Sequence, residues 1–247
     1  MSPSAEAVVA EWKRWIDPRY LQAPVLEELR TRFAIRPRRP LSLPSFLAAE
    51  RAAELAAALR RIRRWDRVHT VLDEEERLRE ISAGEWGARP AEERWSAQEL
   101  ARPLATVVDD AERLDERGRE QLAALFDFVI VGVAFRTWLG QIAGVPLGPH
   151  VSCELVRYRR GDFIARHTDT HDARIVGLNL YLDADYRRQD GGQLGYANEE
   201  QDEFSVDPAF NSLSLIPIDR ACCHWVGPWK AGRPGRETVS LSFSPAA

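Results

Sequence analysis

The segment after Pro146 constrains the fold most, because it consists of short β-rich runs separated by turn residues. The connections are too short for the helical crossovers that parallel strands need, so we expect antiparallel pairing rather than an α/β layered sheet. Eight such strands predict a β-sandwich or a jelly roll (a double-stranded β-helix), the double-sheet arrangement that cupins use. We predict strands over Val151–Tyr158, Phe163–His167, Ile175–Leu182, Gln193–Tyr196, Glu203–Val206, Ser212–Ile216, Cys222–Val226 and Thr238–Phe243.

The first half of the chain has mainly helical periodicity. It predicts helices over Ala5–Ile16, Ala48–Trp65 and Glu120–Gly144, a strand over Asp66–Leu72 and an extended connector around Pro37, Pro40 and Pro44. The range Gly84–Pro103 lacks a clean period, so we predict no regular element there. We therefore expect an α+β protein with a helical N-terminal extension (1–40), followed by a main domain (41–247) with flanking helices around a jelly-roll core (151–244).

The charge balance argues against a nucleic-acid partner. The chain has 34 Lys and Arg against 38 Asp and Glu, a net charge of −4, and the two signs alternate along it. Nucleic-acid binding normally shows as a basic excess or a basic stripe. The basic clusters Arg36–Arg39 and Arg60–Arg64 are better explained as a charged connector and a solvated helix face.

Cysteine usage and apolar runs predict a cytoplasmic protein. Three cysteines without a CxxC spacing indicate neither a disulfide framework nor a zinc ribbon. The N-terminus has no basic and apolar leader. The most apolar run, Leu122–Leu139, is interrupted by Asp127 and Arg136, which favours a buried helix over a membrane span. We therefore expect no membrane partner.

Two histidines and an aspartate are the candidate metal ligands. His167 and Asp169 lie two residues apart at a predicted strand end, which would place both side chains on one face of the sheet. His224 is the only histidine inside a strong downstream strand pattern. Two imidazoles and one carboxylate suit Fe(II), although Mn, Co, Ni and Zn bind such a set too. On spacing alone, ordinary hydrogen-bonded histidines are the alternative.

The surrounding residues follow the order of motifs in a known family. These motifs are Tyr158, Gly161 and Phe163 before His167-x-Asp169, the run from Arg174 to Tyr181-Leu182-Asp183, Gly191-Gly192-Gln193-Leu194, the strand from Ser212 to Pro217 that leads to His224, and Arg236. Over Val151–Phe243 the chain resembles the prolyl-4-hydroxylase-like branch of the iron(II)- and 2-oxoglutarate-dependent dioxygenases. That family typically has Tyr-Leu-Asn where this chain has Tyr181-Leu182-Asp183.

The resemblance implies an oxygenase domain over 41–247. His167, Asp169 and His224 would hold Fe(II), with 2-oxoglutarate and O2 at the open positions. The implied reaction hydroxylates an unactivated C–H bond of an amino-acid, peptide or protein side chain and releases succinate and CO2. Asp169 favours hydroxylation over halogenation, because halogenating relatives have a small residue there. A hydroxylase of a small natural product, a metal-binding jelly-roll protein without oxygenase activity, and an interaction protein that works through its helical half are the alternatives.

The resemblance also implies a co-substrate pocket. A buried dicarboxylate needs a cationic partner, and arginine binds carboxylates through two parallel hydrogen bonds. Arg236 would anchor the far carboxylate of 2-oxoglutarate, with Tyr181 as a hydroxyl donor beside it. Tyr158 and Asn179 would point into the same cavity and contact the co-substrate or the substrate.

Two neighbouring residues compete with these assignments. The gap of twelve residues between His224 and Arg236 is longer than usual in the family, so Arg233 and Lys230 are alternative anchors. We prefer Arg236 because it opens the β-run, where a strand sets its direction.

His171 follows the predicted strand end, and we expect it to be exposed or to lie behind the ligands.

Overall fold

The computed structural model describes residues 4–72, 78–101, 104–170 and 173–246, so the expectation for His171 lies outside the described residues. The helices are α1 (Ala5–Trp15), α2 (Ala23–Ala34), α3 (Ala49–Arg60), α4 (Ala83–Ala88), α5 (Leu104–Asp109), α6 (Glu116–Phe126) and α7 (Ala134–Ala143). The strands are β1 (Leu41–Leu43), β2 (Asp66–Leu72), β3 (Leu78–Glu80), β4 (Arg94–Ala101), β5 (Leu147–Tyr158), β6 (Phe163–His167), β7 (Val176–Tyr181), β8 (Leu194–Ala197), β9 (Glu203–Val206), β10 (Ser212–Pro217), β11 (Cys223–Val226) and β12 (Gly235–Pro245).

The eight predicted strands of the second half form the expected double-sheet core, which confirms the α+β jelly-roll prediction. One layer has the order β10-β7-β12-β5, and the other has the order β6-β11-β8-β9. Strand β4 joins the layers by pairing with both β5 and β6, and β1 extends the first layer beside β10. The described pairs are antiparallel, as the short connections require.

Strand β12 shows how the core layer is built. Its side chains alternate between two environments, because successive residues of a strand point to opposite faces. Val239 and Phe243 are fully buried against the helices, and the Phe243 ring lies 6.3 Å from that of Phe135. Ser240 and Ser242 face the opposite way and line a cavity inside the barrel. The helices thus cover the outer face of this layer and leave its inner face for function.

The N-terminal helices contribute to the same hydrophobic core. The Trp15 ring of α1 stacks on Phe128 with 5.0 Å between centroids, and Trp12 donates a hydrogen bond to the carbonyl of Ala134. Leu29 and Phe33 of α2 are buried in the same cluster. The predicted boundary after residue 40 stays a prediction, and the helices before it are packed on the residues after it.

The predicted helix over Glu120–Gly144 is wrong as a single element. Helix α6 ends at Phe126, a π-helical turn covers Asp127–Val131, and α7 begins at Ala134. The Gly132 amide donates to the Asp127 carbonyl at 2.6 Å, and a Cβ at Gly132 would lie 2.8 Å from that oxygen. Glycine therefore permits the tight closure that interrupts an otherwise continuous apolar pattern.

No single helix in the described ranges is long and apolar enough to cross a membrane. The stretches Glu116–Val131 and Ala134–Ala143 reach that length and composition only as a pair, which is bent by 48°.

Two further expectations from the first half need correction. The helix predicted over Ala48–Trp65 ends at Arg60. The range Gly84–Pro103, for which no element was predicted, contains most of α4 and the whole of the central strand β4. Strand β4 lacks the usual alternation because its polar residues are buried as well: Glu99 is fully buried and forms ion pairs with Arg157, at 2.5 Å, and Arg159.

The two faces of β12 predict opposite sensitivities to mutation. Phe243→Ala should lower the free energy of unfolding by about 3–5 kcal/mol, because it leaves a cavity in the packed core. Ser242→Ala removes only a 2.8 Å hydrogen bond to Ser152 and should cost about 1 kcal/mol. Urea denaturation of both variants measures the difference, and equal losses would contradict this assignment of faces.

Candidate active site

His167 and His224 are direct neighbours across two strands. They form a register pair between β6 and β11, and their ring centroids lie 4.1 Å apart. Asp169 completes the group: its Oδ2 lies 3.5 Å from His224 Nε2 and its Oδ1 lies 3.8 Å from His167 Nε2. The three candidate ligand atoms lie within 4.8 Å of one another, a separation at which all three can bind one metal ion.

The prediction that strand alternation orients Asp169 is wrong. Strand β6 ends at His167, so Asp169 is not on the strand and strand alternation does not orient it. Its φ of +56° lies in the left-handed region, which turns the carboxylate back towards the two imidazoles. Aspartate adopts this conformation more readily than most residues, because its short polar side chain can bond locally.

The orientation of the His167 ring is set by a backbone contact. Its Nδ1 lies 2.8 Å from the carbonyl oxygen of Ala165. A carbonyl only accepts hydrogen bonds, so Nδ1 donates its proton there, and Nε2 is the nitrogen that faces Asp169 and His224 and is available to a metal ion. Such a bond to the outer imidazole nitrogen is the usual way in which proteins orient a histidine ligand.

Asp169 is held in its ionised form. Burial alone would raise the pKa of this carboxyl group, but the hydrogen bond with His224 and the charges of His167 and Arg174 hold its pKa well below its usual value. Arg174 Nη1 lies 3.7 Å from Asp169 Oδ1. The site therefore offers a carboxylate and, when the imidazoles are deprotonated, their lone pairs, which is the donor chemistry that a divalent cation needs.

The three residues open into a cavity of about 320 Å³ inside the barrel. Of the predicted co-substrate residues, Tyr158, Asn179 and Arg236 line it as well. Tyr181 is fully buried behind Arg236, with its ring centroid 5.1 Å from the guanidinium carbon. One cavity thus joins the metal-ligand cluster to the predicted anchor.

Arg236 is the unusual residue of this cavity, since its side chain is only 2% exposed. Its Nε donates to the carbonyl of Gly192 at 2.6 Å, and its guanidinium carbon lies 4.9 Å from the centroid of the Tyr158 ring. Its Nη2 and the Tyr181 hydroxyl are buried without a hydrogen-bond partner among the described residues. Unsatisfied buried donors are costly and rare, so a carboxylate-bearing ligand fits this end of the cavity.

The alternative anchors, Arg233 and Lys230, lie outside this cavity. Arg233 is partly exposed and lies 3.0 Å from Asp183 and 3.4 Å from Asp190, so its charge is already paired. Lys230 is exposed. Neither residue lines the cavity that holds the ligand cluster.

Tyr158 is an un-ionised phenol in this site. Burial raises its pKa to about 12, and its hydroxyl lies 3.4 Å from the side-chain oxygen of Gln98. It can therefore act only as a neutral hydrogen-bonding group and as a wall against Arg236.

Several cavity residues were missed by the sequence reasoning. They are Gln98 on β4, Ser152 and Glu154 on β5, and Ser240 and Ser242 on β12. The strand residues of β5 and β12 share the inward face of Tyr158 and Arg236, so alternate positions from those two residues would have identified them. No comparable signal was available for β4, which had not been recognised as a strand.

Comparison with known proteins identifies the class of this protein. A family described as oxoglutarate and iron-dependent oxygenase degradation C-term matches residues 9–226, and the chain belongs to this family. A curated relative, prolyl 3-hydroxylase OGFOD1 of Mus musculus, is 27% identical over 115 residues, which are 44% of this chain and 21% of that protein. The chain thus corresponds to only part of that relative.

Solved structures share the fold. A prolyl hydroxylase from Trichoplax adhaerens, in complex with a hypoxia-inducible-factor peptide fragment, has a TM-score of 0.64 at 18% identity, covering 98% of this chain and 94% of its own. A Pseudomonas putida prolyl-4-hydroxylase has a TM-score of 0.57 at 24% identity, covering 90% of this chain and all of its own. The predicted membership of the oxoglutarate- and iron-dependent oxygenases is therefore confirmed.

The environment of Glu237, next to Arg236, generates a pH prediction. Burial and the negative charge of Asp183 raise its pKa to about 7, against the weaker opposing charges of Arg233 and Arg157. The folded protein therefore binds this proton more tightly than the unfolded chain, and the group lowers stability as pH rises from about 4.5 to 7. Glu237→Gln should be about 1–3 kcal/mol more stable than wild type at pH 8 and similar at pH 4.5.

Urea unfolding at the two pH values checks this expectation. If wild type and Glu237→Gln lose stability in parallel between pH 4.5 and 8, Glu237 is not the group responsible.

Proposed function

We propose that this protein is an Fe(II)- and 2-oxoglutarate-dependent hydroxylase of an amino-acid, peptide or protein side chain. The observation that carries the proposal is the sharing of one cavity by His167, Asp169, His224 and Arg236. The cluster is suited to a divalent metal and the arginine is suited to a carboxylate, so the cavity has complementary groups for both cofactors of the family.

His167, Asp169 and His224 are the proposed iron ligands. A carboxylate with two imidazoles leaves coordination positions open, which distinguishes this set from the closed sites of structural metals. The chemistry that iron supplies when bound is oxidation of an unactivated C–H bond, coupled to conversion of 2-oxoglutarate and O2 into succinate and CO2. The protein's own task is to orient both reactants and to exclude water from the cavity.

Arg236 is the proposed partner of the far carboxylate of 2-oxoglutarate. Its Nη2 and the Tyr181 hydroxyl are buried and have no hydrogen-bond partner among the described residues, and a carboxylate beside them would satisfy both. The rings of Tyr158 and Tyr181 flank the guanidinium and limit its movement. Asn179 lines the same cavity and is a proposed contact of the co-substrate or of the substrate.

The size of the cavity supports a single side chain as the substrate group. Pockets for drug-sized ligands have volumes of about 300–1,000 Å³. At about 320 Å³, this cavity has to hold the co-substrate and the reacting group together, which disfavours a bulky natural product. The names of the relatives support an amino-acid residue of a peptide or protein, since one is a prolyl 3-hydroxylase and another was solved with a peptide. The cytoplasmic location and the absence of nucleic-acid and membrane partners stay predictions.

Succinate formation tests the proposed activity. The protein is loaded anaerobically with Fe(II) and supplied with 2-oxoglutarate and O2, alone and with peptide libraries or free amino acids, and mass spectrometry detects an added oxygen in the substrate. We expect slow succinate release alone and faster release with a substrate. If calorimetry detects no 2-oxoglutarate binding and no mixture yields succinate, the protein is not such an enzyme.

Replacing Asp169 tests the metal site without straining the backbone. Because its φ is +56°, glycine fits the position, so Asp169→Gly removes the carboxylate and little else. We expect iron affinity to fall by about 100-fold or more, since a charged ligand is lost and two imidazoles remain. Gln201→Gly is the matched control, because exposed Gln201 has a φ of +65° and lies outside the cluster. Iron titration of both variants decides, and unchanged affinity in Asp169→Gly would refute the ligand assignment.

Arg236→Gln tests the co-substrate anchor. The variant keeps a long polar side chain but loses the charge, so the KM for 2-oxoglutarate should rise about 100-fold while iron affinity stays unchanged. Arg188→Gln, at an arginine that is 80% exposed, is the control and should behave as wild type. A normal KM in Arg236→Gln would remove this residue from the co-substrate site.

A further inference from the structure

Arg236 has a backbone conformation that arginine rarely adopts. Its φ is +56°, in the left-handed region, and the pairing of β12 with β5 shifts register between Gly235 and Thr238. A non-glycine residue in this region costs conformational energy and persists only where its surroundings hold it. The contact that holds it is a 2.8 Å hydrogen bond from the Arg236 amide to Asp183 Oδ2.

The two carboxylate oxygens of Asp183 accept three hydrogen bonds. Its Oδ2 accepts from the Arg236 amide and from Arg233 Nη1 at 3.0 Å, and its Oδ1 accepts from the Asp185 amide at 3.0 Å. Asp183 follows β7 closely and is only 3% exposed. An asparagine here would have a single acceptor oxygen and would point its own NH2 group at one of these donors. The geometry therefore requires a carboxylate, at a position where the family that this chain resembles typically has asparagine.

Arg233 supplies the countercharge for this buried carboxylate. A buried carboxylate without a cationic partner is unfavourable, and Arg233 Nη1 is the cationic group in contact with Asp183. Gly235 leaves room for the pair, because a Cβ there would lie 2.6 Å from Asp183 Oδ2 and would overlap Arg233 Nη1. The short segment from Arg233 to Arg236 is thus shaped around Asp183.

The side chain of Arg236 is fixed separately from its backbone. Its Nε donates to the Gly192 carbonyl, and Gly192 has a φ of +69° and no side chain, so the arginine can approach closely. A Cβ at Gly192 would lie 2.9 Å from Arg236 Cδ. Asp183 thus fixes the backbone of Arg236 and the Gly192 carbonyl fixes its Nε, and together they direct the guanidinium into the cavity.

We propose that Asp183 is a positioning residue for 2-oxoglutarate, with Arg233 as its charge partner. Asp183 acts through the backbone of Arg236, and Arg233 acts through Asp183 without contacting the co-substrate. This proposal rests on the proposed function, in which Arg236 binds the far carboxylate of 2-oxoglutarate. It also gives Arg233 a role that differs from that of an alternative anchor.

The test compares two variants of the pair with a matched control. Asp183→Asn keeps the shape of the side chain and leaves one of its donors unsatisfied. Arg233→Gln removes the countercharge and changes only a partly exposed side chain. Asp162→Asn is the control: Asp162 is also buried, also accepts hydrogen bonds from an arginine (Arg67) and a backbone amide (Arg159), and has no contact with Arg236.

The measurement is anaerobic calorimetry of 2-oxoglutarate binding to the Fe(II)-loaded proteins, with Fe(II) affinity and thermal stability measured in parallel. We expect 2-oxoglutarate affinity to fall about 10- to 100-fold in Asp183→Asn and about 3- to 10-fold in Arg233→Gln. Fe(II) affinity should stay within about twofold of wild type in both. The control should lose thermal stability and keep its 2-oxoglutarate affinity. In steady-state assays, KM for 2-oxoglutarate should rise while kcat at saturating 2-oxoglutarate is retained.

The outcomes separate this proposal from the function on which it rests. If wild type binds Fe(II) but no 2-oxoglutarate, the proposed function fails and this role fails with it. If wild type binds 2-oxoglutarate and Asp183→Asn binds it equally well, only the positioning role is overturned. The positioning role is also overturned if Asp162→Asn loses as much affinity, because the effect then reflects general destabilisation. Should Asp183→Asn not fold, unchanged affinity in Arg233→Gln overturns the role.

Discussion

A buried guanidinium without a carboxylate partner is the constraint on which the rest of this barrel depends. Arg236 forms no ion pair among the described residues, although it is almost completely removed from solvent. Burying an uncompensated charge is strongly unfavourable, so the surrounding structure has to stabilise it until a ligand does. Two tyrosine rings, a glycine carbonyl and a threonine hydroxyl supply that stabilisation on the protein's side.

The other half of the cavity attracts the opposite charge. His167, His224 and Asp169 form a cluster that carries negative charge when both imidazoles are neutral, which attracts a cation. His167 and His224 lie on paired strands, so their relative geometry is rigid. The carboxylate of Asp169 lies outside the strands and depends on the left-handed backbone conformation of that residue. Cation and anion sites thus share one small cavity, and two ligands of opposite charge can lie in contact there. This arrangement is what a metal-bound dicarboxylate requires.

Much of this fold could be predicted from local patterns. The eight strands of the jelly roll have clear alternation and clear turns, and their observed bounds lie within a few residues of the expected ones. Strand β4 could not be predicted, because Glu99 is buried with arginine partners from β5 and the turn after it, which hides the apolar pattern. The break between α6 and α7 was missed because a glycine inside an apolar run is often tolerated in a continuous helix. Both failures occur where tertiary contacts override the local signal.

The sequence by itself determined the strand order along the chain, the chemical types of the site residues and the family, because these depend on residue identity and spacing. Only the tertiary structure decided how the site is assembled. Asp169 joins the histidines through a backbone turn that strand periodicity does not predict, and Arg236 differs from Arg233 in burial, which no spacing reveals. The role of Asp183 depends on contacts with Arg233 and Arg236, which lie about fifty residues further along the chain. Such convergence arises from packing, so it becomes visible only when the chain is folded.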